Sequence, residues 1–133
     1  MSTTVITFGT FDVFHVGHLR VLERAASMGD RLVVGVSADA LNERKKGRPP
    51  VFSQRERLEI IAALKPVDQV FVEESLELKR AYILEHKADI LVMGDDWAGK
   101  FDEFSDICKV CYLARTPAIS TTALIEKISS GDE

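Results

Sequence analysis

The chain has 133 residues, of which 46% are hydrophobic and 29% are charged, a composition typical of one folded domain with a buried core. Its net charge of −4 argues against a nucleic-acid partner, because such proteins neutralise phosphates with an excess of Lys and Arg. No apolar run approaches the ~20 residues that cross a bilayer and no signal-peptide pattern opens the chain, so we expect a cytoplasmic protein without a membrane partner.

The first half of the chain is predicted to alternate strands with helices, from the periods at which its apolar residues recur. Ser53, with Glu56 three residues later, forms a capping-box pattern that begins a helix. The predicted elements are a strand over Thr4–Phe8, a helix over Val16–Met28 that ends near Gly29, a strand over Arg31–Ser37, a loop over Asn42–Pro50 and the helix from Ser53 through Leu64.

The second half continues the same alternation. Its predicted elements are a strand over Val67–Val72, a helix over Ser75–His86, strands over Ala88–Met93 and Lys109–Leu113, and a helix over Thr121–Ile128. Strands that alternate with helices predict an α/β fold, here a single-domain Rossmann-like, doubly wound sheet of about five parallel strands with helices on both faces. The predicted domain covers residues 1–128, and residues 129–133 form a short polar tail.

The two cysteines, Cys108 and Cys111, form a CxxC pattern. A redox CxxC opens a helix, where the thiolate is stabilised, but this pair lies in a predicted strand. No second cysteine pair is present to complete a zinc site. We therefore expect buried or half-buried structural cysteines, and no metal site built from protein ligands.

Residues Gly9–His18, with the sequence GTFDVFHVGH, join the first predicted strand to the first predicted helix. The imidazoles of His15 and His18 are three residues apart and would point the same way at the start of that helix. The unpaired N–H groups of a helix start favour negative charge there. One histidine in such a place is more often structural or solvated, but the combination predicts a site that handles phosphate.

Two further polar segments follow predicted strands, namely Gly94–Trp97 after the fourth strand and Arg115–Thr122 after the fifth. Parallel strands have their carboxyl ends at one edge of the sheet, where ligands bind close to the point of strand-order reversal, so the three segments should converge. Arg115 offers a bidentate fork that suits phosphate. The GxGxxG fingerprint is absent after the first strand, which argues against a redox dehydrogenase.

These segments resemble the signatures of a known family. Gly9–His18 is similar to the GTFDxxHxGH signature of the cytidylyltransferase-like nucleotidyltransferases, and Arg115–Thr122 is similar to their RTxxISTT signature. Met93–Trp97, with the sequence MGDDW, lies between the two. The resemblance covers nearly the whole chain, and within the superfamily it is closest to the bacterial glycerol-3-phosphate cytidylyltransferases.

The resemblance implies transfer of CMP from CTP to a small alcohol phosphate, foremost sn-glycerol 3-phosphate. The products would be pyrophosphate and CDP-glycerol, a precursor of cell-wall teichoic acid. It also implies Mg²⁺ bound through the nucleotide triphosphate and a homodimer. Two alternatives stay open: an adenylyltransferase that uses ATP, of the FAD-synthetase or sugar-phosphate type, and a nucleotide-binding module without turnover.

The resemblance also assigns roles to individual residues. The implied catalytic residues are His15, His18, Lys45 and Arg115, with both histidines donating hydrogen bonds to the triphosphate. The implied nucleotide-binding residues are Gly9, Thr10, Phe11, His15, Gly17, His18, Lys46, Arg48, Gly94, Asp96, Arg115, Thr116, Ile119, Ser120, Thr121 and Thr122. The implied contacts to the second substrate come from Asp12, Lys45, Lys65 and Lys79.

Some of these assignments have competing interpretations. Either Lys46 or Arg48 could be the second basic residue on the phosphates, because this chain is one residue longer there than the related sequences. Asp12 could simply cap a helix, and Lys79 could simply face solvent. Trp97 could contact the nucleotide or be a buried anchor.

Overall fold

The computed structural model describes residues 2–114 and 121–130, and one sheet of five parallel strands forms its centre. The order of the strands across the sheet is β3-β2-β1-β4-β5, which confirms the predicted α/β fold. The strands are β1 (Thr4–Gly9), β2 (Arg31–Ser37), β3 (Gln69–Glu73), β4 (Ile90–Gly94) and β5 (Lys109–Leu113).

Helices connect the strands, and their positions agree closely with the sequence prediction except at two places described below. Within the described residues the helices are α1 (Val16–Ala26), α2 (Asp39–Lys46), α3 (Gln54–Ala62), α4 (Lys79–Glu85) and α5 (Thr121–Ser130). Short 3-10 turns occupy Leu76–Leu78, Asp95–Trp97 and Asp102–Asp106. The predicted capping box at the start of α3 is present, with Ser53 and Glu56 each accepting from the other's backbone N–H.

Alternate residues of each strand enter two separate cores, because successive side chains point to opposite faces of a sheet. On one face Val5 shares a core cluster with Leu22 of α1 and Ile61 of α3. On the other face Ile6 shares a cluster with Ile83 of α4. Helices therefore cover both faces of the sheet.

The predicted loop over Asn42–Pro50 is wrong in its first half, because α2 extends through Lys46. The prediction weighed the cluster of charges and the following Gly and Pro, whereas Glu, Arg and Lys are themselves good helix formers and cations suit a helix C-terminus. Gly47 ends the helix with φ of 75°, the left-handed conformation that glycine adopts without strain. The basic residues Lys45 and Lys46 therefore lie on the last turn of a helix.

The helix predicted over Ser75–His86 begins instead as the 3-10 turn Leu76–Leu78, and α4 follows from Lys79. Ser75 caps this turn by accepting a hydrogen bond from the backbone N–H of Glu77. The first turn of the predicted helix is therefore a 3-10 turn, and the α-helix begins at Lys79.

The two cysteines are free and half-buried, as predicted. Cys111 packs against the core cluster on one face of the sheet and Cys108 against the cluster on the other. Burial raises the pKa of the Cys108 thiol, so the reactive thiolate is disfavoured. No helix in the described part of the chain is both long and apolar enough to cross a membrane.

Candidate active site

A cavity of about 550 Å³ opens where β1 ends at Gly9 and β4 ends at Gly94. The strand order reverses between these two neighbouring strands, so the cavity lies at the switch point of the sheet, where open α/β folds bind ligands. Most of the predicted nucleotide-binding residues line it, namely Gly9, Thr10, Phe11, His15, Gly17, His18, Lys46, Arg48, Gly94, Asp96, Thr121 and Thr122.

His15 and His18 cap α1 reciprocally. Nδ1 of His15 accepts from the backbone N–H of Gly17 at 3.0 Å, and Nδ1 of His18 accepts from the backbone N–H of His15 at 3.2 Å. The two rings stack with their centroids 3.8 Å apart. This is a capping box in which imidazoles replace the usual hydroxyl and carboxylate.

The cap determines which nitrogen of each imidazole ring carries the proton. Since both Nδ1 atoms accept, each neutral ring holds its proton on Nε2, on the side away from the backbone. Burial, together with the charge of His15, lowers the pKa of His18 to about 4 against a raising influence of Asp12, and burial lowers the pKa of His15. Near neutral pH the cavity is therefore lined by two uncharged Nε2–H donors.

The depressed pKa of His18 predicts acid-sensitive stability. Between about pH 6.5 and about pH 4, His18 is protonated in the unfolded chain but stays neutral in the folded chain. The free energy of unfolding should therefore fall as the pH falls through this window. The full effect is up to about 3 kcal/mol. Urea denaturation across the window measures it in the unaltered protein and in His18→Asn, whose Oδ1 can keep the cap. An equally steep fall in the variant would contradict the assignment.

The backbone of the motif is strained beside the histidines. Phe11 and Val13 have φ of 53° and 48°, in the left-handed region that costs a non-glycine residue about 1–3 kcal/mol and is a genuine outlier for a β-branched one. A Cβ at Gly9 would lie 2.8 Å from the ring of Phe11, so this position accepts only glycine while that ring keeps its place. The Phe11 ring in turn packs edge-on against His18, with centroids 5.5 Å apart.

Two helix N-termini face the cavity. His15 and Gly17 bring the start of α1, and Thr121 and Thr122 bring the start of α5. The Thr121 hydroxyl donates to the backbone carbonyl of Asp12 at 2.8 Å, so the start of α5 is tied to the motif. Since each N-terminus carries partial positive charge, their convergence favours an anion in the space between them.

Asp12 holds the chain segment that follows α2. Its two carboxylate oxygens accept from the backbone N–H of Val51 at 2.7 Å and of Phe52 at 2.8 Å, and one of them also accepts from Val13. The carboxylate lines the cavity but caps an approaching segment rather than its own helix. Asp12 thereby links the histidine motif to the segment that carries Arg48.

Of the three predicted basic residues at and just after the end of α2, two line the cavity and one does not. Lys46 and Arg48 both line it, so the structure leaves room for either of them at the phosphates. Lys45 is not among the lining residues. Desolvation lowers the pKa of Lys45, as do the charges of Lys46 and Lys79, while the Glu73 carboxylate raises it, which places Lys45 within electrostatic reach of the end of β3.

Lys79 is enclosed, not solvent-facing. Its Nζ donates to Oε2 of Glu73 at 2.7 Å, and the two side chains are only 4% and 2% exposed. The ammonium also lies 3.8 Å from the centroid of the Phe8 ring. Desolvation lowers the pKa of Lys79 and the neighbouring carboxylate opposes that shift. The pair lies at the carboxyl end of β3 and outside the lining of the cavity.

The structure does not bring Lys65 to this region. Lys65 is exposed between the end of α3 and the start of β3. In a parallel α/β sheet the helix runs back to the amino edge before the next strand begins, so Lys65 lies at the edge opposite the cavity. Four predicted residues, Arg115, Thr116, Ile119 and Ser120, lie outside the described residues.

The sequence analysis missed two buried polar residues that hold the site together, Asn42 in the cavity lining and Arg57 behind it. Arg57 is 0% exposed and donates to the carbonyls of Thr10, Ser37 and Phe52. The sequence could have indicated this burial. Arg57 is four residues before the buried Ile61 and therefore lies on the apolar face of α3, where an unpaired charge is costly. Asn42 carried no such signal, since it falls in the segment predicted to be a loop.

Asp39 completes the surroundings of Arg57. Arg57 donates to its carboxylate at 2.6 Å, and Asp39 also accepts from the backbone N–H of Gln54 at 3.0 Å. Burial by itself raises the pKa of Asp39, but the hydrogen bonds from Gln54 and Arg57 and the charge of Arg57 lower it overall. The starts of α2 and α3 are thereby joined.

The site unites two converging helix starts, two neutral imidazole donors and a basic helix end at the switch point of a parallel sheet, which defines a nucleotide-binding α/β enzyme. Residues 6–127 match the sequence model of the cytidylyltransferase-like family. The chain belongs to that family and is a nucleotidyltransferase.

Relatives of known name agree with this assignment. The glycerol-3-phosphate cytidylyltransferase of Bacillus subtilis (strain 168) is 46% identical over 94% of this chain and 96% of the relative. That of Staphylococcus aureus (strain NCTC 8325 / PS 47) is 38% identical over 96% of each. Among solved structures, a lipopolysaccharide core biosynthesis protein from Thermoplasma volcanium GSS1 has a TM-score of 0.74 and 27% identity, covering 87% of this chain and 99% of that one.

Proposed function

We propose that the protein transfers CMP from CTP to sn-glycerol 3-phosphate, releasing pyrophosphate and CDP-glycerol. The observation that carries the proposal is the reciprocal histidine cap, which presents two neutral Nε2–H donors to a cavity at the switch point of the sheet. The choice of substrates rests on the named relatives, two of which are glycerol-3-phosphate cytidylyltransferases.

The chemistry asks the protein for positioning and charge stabilisation. An oxygen of the acceptor phosphate forms a bond to the α-phosphorus of the nucleotide while the bond to the pyrophosphate oxygen breaks. The acceptor oxygen is already ionised near neutral pH, so no general base is needed. Negative charge crowds around the α-phosphorus and moves to pyrophosphate, and fixed Nε2–H donors of His15 and His18 stabilise that charge without reorganising.

The acceptor is proposed to bind at the polar group formed by Lys45, Glu73 and Lys79. This group lies at the carboxyl end of β3, at the same edge of the sheet as the cavity. A phosphate there would receive positive charge from Lys45, while the buried Glu73–Lys79 pair holds the surroundings in place. Asp96 and Trp97, at the end of β4, are proposed to face the nucleoside part of CTP.

The decisive experiment is an assay of pyrophosphate release in which CTP and ATP are each combined with a panel of small phosphomonoesters. Turnover with CTP and glycerol 3-phosphate is the expected result. Turnover only with ATP would replace the proposal with an adenylyltransferase. Binding of CTP without turnover across the panel would leave a nucleotide-binding module.

Mg²⁺ is proposed to be carried by the triphosphate. The described residues contain no group of three or more His, Cys, Asp or Glu side chains able to hold a metal, and the carboxylate of Asp12 is already engaged by backbone N–H groups. Magnesium keeps several waters and binds nucleotide oxygens readily. Chelation with EDTA should abolish turnover and added Mg²⁺ should restore it, and activity that survives chelation would refute this part of the proposal.

The remaining proposals concern the organisation of the protein. We propose one cytoplasmic domain over residues 1–128, followed by the polar tail 129–133, that acts as a homodimer. Val51 is 63% exposed beside the cavity, and an apolar side chain in that position suits a subunit contact. Light scattering measures the mass in solution, and the mass of a single chain would overturn the dimer.

A further inference from the structure

Asn42 is a buried amide at the wall of the cavity. It is 1% exposed and lines the cavity from the first turns of α2. Its Nδ2 donates to the carbonyls of Ser37 at 3.4 Å and Ala38 at 3.1 Å. Its Oδ1 accepts from the Thr10 hydroxyl at 2.9 Å. One side chain therefore joins the end of β2, the start of α2 and the loop after β1.

The orientation of this amide is determined by its partners. A carbonyl oxygen can only accept, so the two carbonyls of Ser37 and Ala38 require Nδ2 on their side and leave Oδ1 towards Thr10. The Thr10 hydroxyl must then give its proton to Asn42. Thr10 therefore offers the cavity a lone pair and acts there as an acceptor, unlike the neutral Nε2–H donors of His15 and His18.

The same amide supports the basic end of α2. The cap residue of this helix, Ala38, has no side chain that could cap it, and the first N–H of the helix, on Asp39, is satisfied by the side chain of Gln54. Asn42 adds a bond from inside the helix to the carbonyl of Ala38. Four residues further along the chain Lys46 lines the cavity, so a tilt at Asn42 would move that ammonium.

We propose that Asn42 is a positioning residue of the nucleotide site, which acts by fixing the Thr10 hydroxyl in a single orientation towards the bound nucleotide. This inference rests on the proposed function for the identity of the ligand. Asn42 itself does not have to touch the nucleotide, because its hydrogen-bonding atoms are already engaged by protein groups.

A double-mutant cycle tests the proposal. The variants are Asn42→Ala, the near-isosteric Thr10→Val and their combination, with Thr10→Ser as the conservative variant that keeps the hydroxyl. Glu43→Ala is the matched control, since Glu43 is exposed on the same helix and outside the cavity lining. The dissociation constant of Mg²⁺–CTP is read from the fluorescence of Trp97, the one tryptophan of the chain and a lining residue. KM and kcat come from pyrophosphate release, at a temperature where every variant is folded.

The expected result is that each single variant weakens CTP binding about tenfold, the size of one hydrogen bond, and that the double variant weakens it by no more than either single variant. KM for CTP should rise accordingly while kcat changes little. Thr10→Ser should recover most of the loss, and Glu43→Ala should bind as the unaltered protein does.

If the two losses of CTP affinity multiply, so that the double variant binds about a hundredfold more weakly, the proposal is wrong. Equal affinities in Thr10→Val and Thr10→Ser would also overturn it, a comparison that decides the question even where Asn42→Ala fails to fold. The binding cycle is independent of turnover. Absence of turnover with normal CTP binding would therefore reject the proposed function alone, whereas multiplicative effects in an active enzyme would reject the role of Asn42 alone.

Discussion

His18→Ala should lower kcat by a factor of about 10² to 10³, the typical cost of losing one fixed donor to the charge that develops in the transition state. The substitution removes the Nε2–H donor and also the Nδ1 atom that accepts from the backbone of His15 at 3.2 Å. The effect on kcat should exceed the effect on KM, because a fixed donor gains most strength where charge develops in the transition state. Pyrophosphate release under saturating substrates measures it.

Two variants separate catalysis from capping. In His18→Asn the Oδ1 atom can occupy the place of Nδ1 and keep the capping box, but no group reaches the place of Nε2–H. We therefore expect this variant to be nearly as stable as the unaltered protein. We also expect it to be as inactive as His18→Ala. His86→Gln is the matched control, because the third histidine stacks on Phe71 outside the cavity lining. Near-normal kcat in a folded His18→Asn protein would remove His18 from the chemistry.

Arg57→Met should lower the free energy of unfolding by about 2–3 kcal/mol. The substitution keeps the length of the side chain and its apolar packing, but it removes the hydrogen bonds that Arg57 donates to the Asp39 carboxylate and to three carbonyl groups. The loss exceeds that of an ordinary surface ion pair because the guanidinium is 0% exposed and three carbonyl groups lose a buried donor, although the Asp39 carboxylate is 41% exposed and can be rehydrated.

Arg55→Met is the control for Arg57→Met, since Arg55 lies on the same helix and is exposed. It should change the free energy of unfolding by less than about 0.5 kcal/mol. Urea denaturation measures both variants. A loss below about 1 kcal/mol in Arg57→Met would mean that water replaces the guanidinium at its partners. The hydrogen bonds of Arg57 would then not be important for the stability of the fold.

The order of strands and helices could be predicted from the sequence because periodicity and capping are local. Ser53 with Glu56 began a helix as expected, and the β-branched residues of Arg31–Ser37 formed a buried strand. The error over α2 arose where local signals conflicted, since its charged residues suit both a solvated loop and a helix end. The structure resolved the conflict through Asp39, which Arg57 and Gln54 hold in place.

The candidate site was predictable where a motif placed residues within one turn of one helix. His15 and His18 were identified as a pair for that reason, although only the folded structure shows that the backbone uses each Nδ1. Lys65 and Lys79 illustrate the limit of the same reasoning. Nothing local distinguishes a lysine at the opposite edge of the sheet from one enclosed with Glu73, because the partner is chosen by packing.

By itself, therefore, the sequence determined the α/β class, the capped start of α3 and the pair of imidazoles at the start of α1, since hydrophobic period and capping act over a few neighbouring residues. Tertiary structure alone decided that β1 and β4 are neighbours and that a cavity opens between their ends. It also decided that Arg57 and Asn42 join segments far apart in the chain. The physical reason is that a hydrogen bond contributes strongly to stability only where water is excluded. Water is excluded only after segments far apart in the chain have packed together.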